Sequence, residues 1–82
     1  MGLTKSFHMD REELGVQAAN AALLDSSTDR FIALTAAFEE AGGRAAQYHD
    51  PAHALAELVN GVVFDYRAER RVIENERIAE GV

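Results

Sequence analysis

The residues best suited to chemistry stand in one short stretch, Tyr48-His49-Asp50-Pro51-Ala52-His53-Ala54, with Glu57 close behind. On a helix, His49, His53 and Glu57 recur every fourth residue and so approach one face. Two imidazoles and a carboxylate on one face could hold a zinc-like divalent ion. Pro51 changes that reading. Asp50 is a good helix cap and Pro51 a good first helical residue, because the N–H that proline lacks would be unbonded there anyway. His49 then falls outside the helix and points elsewhere, so the reading assigns no metal and no cofactor. Histidines at a seam between chains would instead make association sensitive to pH between about 5 and 8.

The same stretch resembles the Tyr-His-x-x-x-His-Ala segment of HD-type metal phosphohydrolases, including cyclic-nucleotide phosphodiesterases. The resemblance implies a proton donor at His49 and a metal ligand at His53. It covers seven of 82 residues. The family also needs a later His-Asp pair and a further Asp within a much larger helical domain. Here no histidine follows His53, and Asp65 is the only later aspartate. The match is therefore read as coincidence.

No other catalytic set emerges. Gly42-Gly43 is followed by Arg44 rather than by a phosphate-cradling pattern. No serine sits in a nucleophile elbow. The pairs Glu12-Glu13 and Glu39-Glu40 fall at helix ends or on solvated faces, where glycosidase carboxylates are not expected. Arg67, Arg70 and Arg71 form a local basic cluster that Glu69 and Glu74 largely neutralise. The expectation is a protein that is not an enzyme.

The elements that must position these residues are helical. The chain has 82 residues, enough for one domain, and a domain of that size buries a modest core. Hydrophobic residues make up 48%, which favours a folded chain, but much of that share is alanine and there is no tryptophan. With no cysteine, disulfides and thiolate metal sites are excluded, and a reducing cytoplasm fits. A net charge of −6 argues against nucleic acid as a partner. Residues 1–9 lack the apolar core of a secretory signal, and no run approaches the roughly 18 apolar residues of a membrane span.

Residues 1–9 read as a loose arm, followed by one helical domain over residues 10–82. Helix 1 is expected over about 10–24, with Asp10 and Glu13 as a capping box and Met9 and Leu14 as a hydrophobic staple. Gly15 lowers helix propensity there, and either permits close approach of another helix or only frays the first turn. Asp25 to Asp29 form a polar connector in which Ser26 or Ser27 caps helix 2. Helix 2 spans about 27–41, with Phe31, Leu34, Thr35, Phe38 and Ala41 on one face and Gly42-Gly43 as a left-handed stop. Helix 3 spans about 51–80. Asn60-Gly61 could break it into a strand over Val62–Tyr66, but the Arg/Glu/Ala-rich run that follows favours a continuous helix. The fold class is all-α, a helical hairpin followed by a long C-terminal helix completed by oligomerisation.

Length carries the functional reading. Two helices of about 15 residues reach roughly 22 Å, whereas a helix of about 30 residues reaches 45 Å. The overshoot is roughly 20 Å and still carries Val72, Ile73 and Ile78, each able to contribute about 1.5–3 kcal/mol when fully buried. Leu58, Val62, Tyr66 and Ile73 are the expected seam with another chain. The sequence thus predicts a small acidic association module, either a homo-oligomer or docked on another protein. A second reading is an acidic, antitoxin-like inhibitor presenting Asp25, Asp29, Glu39 and Glu40 on one face to a basic protein surface. A third is a small metal protein using His49, His53 and Glu57.

Overall fold

The structure, a computed structural model, describes residues 2–81, with side-chain surroundings for residues 7–79; Met1 and Val82 lie outside the described residues. Three helices follow one another: α1 (Gly2–Ala22), α2 (Ser27–Ala45) and α3 (Pro51–Gly81). Arg44, near the end of α2, meets Asp10 near the start of α1, and Arg70 of α3 meets the last carbonyl of α1. The helices therefore run up, down and up, with α1 and α3 parallel and all three pairs in contact.

The capping residues act where the sequence placed them around α2 and α3. The Ser26 hydroxyl accepts the Asp29 N–H at 3.3 Å, and the Asp50 carboxylate accepts the His53 N–H at 3.2 Å. Each contact satisfies a helix-start donor that has no partner within the helix. α3 passes through Asn60-Gly61 unbroken. A Cβ on Gly61 would collide with the Arg11 guanidinium, and one on Gly15 with the Asp65 carboxylate. The two glycines make room for the Arg11–Asp65 ion pair, 3.0 Å long, between α1 and α3. This close approach explains why a poor helix former occupies the middle of each helix.

Three boundaries differ from expectation. The helix begins at Gly2, not at Asp10, so residues 2–9 belong to α1 rather than to a loose arm. Tertiary contacts account for the change: Phe7 packs edge-on against Tyr48, ring centroids 5.6 Å apart, and Asp10 spends its carboxylate on α2 and the α2–α3 connector instead of capping. α2 runs through Gly42 and Gly43 to Ala45, and neither glycine is left-handed. Ala41 and Ala45 are both buried one turn apart, and Arg44 is tied down between them, so packing holds the last turn helical. α1 ends at Ala22 rather than Leu24. There, Arg70 bonds the Ala22 carbonyl at 3.0 Å and Arg30 bonds those of Leu24 and Asp25 at 2.7 and 2.9 Å. Positive side chains at a helix C-terminus complement its dipole.

The core is thin. Leu14, Leu58 and Val62 are its only large, fully buried side chains among the described residues, and alanines of all three helices fill the rest. Small residues bring helix axes close but remove little apolar area from water.

Because α1 has 21 residues, it supports α3 over a longer span than the sequence reading allowed. The Arg70–Ala22 contact marks the end of that support. Beyond it, α3 runs on through residues 71–81 for about 16 Å at the usual helical rise. From Val72 to Ala79 every side chain except that of Ile73 is exposed.

Candidate functional site

The histidine segment does not converge. Asp50 caps α3, His49 lies exposed in the connector outside it, and His53 and Glu57 stand one turn apart on the first turns of α3. Nε2 of His53 lies 3.8 Å from Oε2 of Glu57, with both side chains more than half exposed. His49 does not join them, and no group of three His, Cys, Asp or Glu side chains among the described residues is placed to hold a metal ion. The segment instead borders an open, mostly apolar hollow with Phe7, Tyr48 and Ala54.

Sequence reasoning missed the most organised polar cluster, which sits beside that hollow. Arg44 donates to Asp10 at 2.7 Å, to Glu13 at 2.5 Å and through Nε to Glu40 at 2.9 Å. The Tyr48 hydroxyl donates to the other Asp10 oxygen. One guanidinium thus joins α1 to α2, and Asp10 extends the link to the connector before α3. The bond to Glu13, opposed by partial burial and reinforced by Glu40 and Asp10, holds the Arg44 pKa above its ordinary value. Burial, then the hydrogen bond to Asp10, pushes the Tyr48 pKa up to about 12. These groups satisfy one another and clasp α1, α2 and the connector together. Asp10 read as a cap and Arg44 fell between the expected helices 2 and 3, and their separation of 34 residues in sequence concealed the link.

The four residues expected at a seam divide into two groups. Leu58 and Val62 are fully buried within the chain's own bundle and cannot also face a partner. They share one buried cluster with Leu14 and Ala18 of α1 and Ala37 and Ala41 of α2, so the face expected to meet another chain is covered by the chain's own two other helices. Tyr66 and Ile73 remain half-buried. The apolar side chains that do stand outside include Phe31 (70% exposed), Phe64 (67%) and Ile78 (66%), with Ile32 and Val72. Asp25, Asp29 and Glu39 are exposed, but the Glu40 carboxylate is drawn into the clasp, so the four acids do not form one free face.

No helix among the described residues is long and apolar enough to cross a membrane. No family model, no curated protein and no solved structure matches this chain.

Proposed function

We propose that this chain is a non-enzymatic helical association module, which binds another protein chain through apolar side chains that its own core leaves outside. One observation carries the reading. Among the described residues, three large apolar side chains are fully buried while ten stay exposed. Scattered exposed apolar residues are normal, but so high a ratio in so thin a core marks surface awaiting cover. The unsupported end of α3 adds length that the chain itself does not use. The dispersal of the histidine segment and the internal satisfaction of the Arg44 cluster both fit a role without catalysis. The absence of cysteine fits a reducing compartment such as the cytoplasm.

Contacts of this kind are apolar, so binding should respond weakly to salt. An acidic inhibitor seated on a basic surface would lose affinity steeply as salt rises. Photo-crosslinking tests the reading in the cells that make the chain. A photoreactive side chain at position 31 or 78 should give a discrete conjugate, and one at the exposed position 47 should give none. Absence of any conjugate from positions 31 and 78 would remove the proposal.

A further inference from the structure

One flank of the bundle is lined by two rows of uncharged side chains. On α2, Phe31, Thr35 and Phe38 follow helical spacing, and on α3 so do Val59, Val63 and Tyr66. The side of α2 that faces α1 is marked by Arg44, and that of α3 by Gly61 and Asp65. Phe31 and Phe38 lie roughly a third of a turn around α2 from Arg44, and Val59 and Tyr66 about as far around α3 from Asp65. Both rows therefore border the α2/α3 cleft on the side away from α1. Phe31 and Thr35 are exposed, and the other four are half-buried. None of the six is charged, although 27% of the chain is, and Arg70, one turn beyond Tyr66 on the α3 row, is mostly covered and held by the Ala22 carbonyl.

We propose that a second copy of this chain covers this flank about a two-fold axis. The inference rests on the association reading above and names its partner. Charge selects the occupant. A partner recruited by the acidic body would need basic side chains, and these would find nothing to pair with here. A second copy presents an equally neutral flank, so the two meet without like-charge contact, and a self-complementary patch is what a two-fold interface requires. Aromatic enrichment and depletion of charge are the marks of an interface centre. Size allows it as well. Leu55, exposed, and Ile73, half-buried, extend the α3 row by about one turn at its start and two at its end, so the flank runs roughly 27 Å and is two helices wide, and two copies bury about 1,000 Å², near the lower bound for a specific interface. The expected dimer is accordingly of micromolar rather than nanomolar strength.

Sedimentation of the full chain at about 100 μM, well above a micromolar dissociation constant, should give twice the monomer mass of 9.0 kDa. Phe31→Glu and Thr35→Arg change exposed positions, so helix content should hold while the dissociation constant rises about thirtyfold or more. Phe64→Glu alters an equally exposed phenylalanine off the flank and should leave the mass doubled. A wild-type mass of 9.0 kDa at that concentration overturns the proposal, as does a dimer indifferent to both flank variants or one dissociated by Phe64→Glu. If the mass is 9.0 kDa but position 31 crosslinks to a different protein, the second copy is wrong and the association reading stands. If neither mass nor crosslink shows a partner, both fall.

Discussion

At the end of the bundle where α2 gives way to α3, Phe7, Asp10, Glu13, Glu40, Arg44 and Tyr48 satisfy one another. At the opposite end, where α1 turns into α2, Leu23, Leu24, Phe31 and Ile32 stay exposed and α3 runs on without a neighbour. The closed end has its charged and polar side chains paired within the chain, beside the open apolar hollow. The open end has its backbone capped by Arg30 and Arg70, yet its apolar side chains find no cover. The contrast separates two properties that small domains often mix. Folding stability should reside at the closed end and partner binding at the open end and along the α2/α3 flank.

Arg44→Ala should produce the largest effect on folding. It would leave three carboxylates facing one another without their cation. Breaking a buried pair costs about 3–5 kcal/mol and an exposed one 0–1; the partly exposed clasp falls between, at about 2 kcal/mol. Urea unfolding at neutral pH measures it. A loss no greater than that of an ordinary surface substitution would erase the distinction between the ends.

Tyr48→Phe sharpens the same contrast at lower cost, about 1 kcal/mol for one net hydrogen bond. It also has a pH signature. The folded pKa of Tyr48 is raised to about 12 from an ordinary 10.0. The contribution of the neutral phenol is therefore fully present below pH 10 and is lost as pH climbs toward 12. Thermal melting of the wild type should show this alkaline limb superimposed on any general charge effect, and Tyr48→Phe should lack it.

Gly43→Ala should act in the opposite direction. A Cβ there meets nothing within 4 Å, and its backbone is already helical. Alanine should raise stability by about 0.5–1 kcal/mol. Gly15→Ala gains the same propensity but drives its Cβ into the Asp65 carboxylate, so its net effect should be smaller or negative. Equal gains at the two positions would mean that the glycines between α1 and α3 are not there for close approach.

The glycines also show what could be read from the sequence. Local signals were legible: Ser26 and Asp50 as caps, Pro51 as a start, and the run after Gly61 as continuous helix. Their physics lies within four residues. Asp10 misled because its carboxylate answers to Arg44 and Tyr48, more than thirty residues away. Gly42-Gly43 misled because buried Ala41 and Ala45 outweigh the local preference of glycine for a stop. The same long-range effect claimed Leu58 and Val62. Periodicity placed them correctly on an apolar face but could not say whether that face met α1 or another chain.

Ile78→Ser should have the smallest effect on folding, below about 0.5 kcal/mol, as for surface substitutions generally. Ile78 is 66% exposed on the unsupported part of α3, so serine removes almost no contact with the chain's own core. Unfolding measured well below the dissociation constant isolates that single-chain value. A second measurement at high concentration gives the decisive comparison. If the far end of α3 lies beside a partner, the variant should be equal to wild type when dilute and less stable when concentrated, because only the associated state loses apolar burial. A loss at both concentrations would place Ile78 inside the fold of the single chain, and α3 would then not run free beyond Arg70.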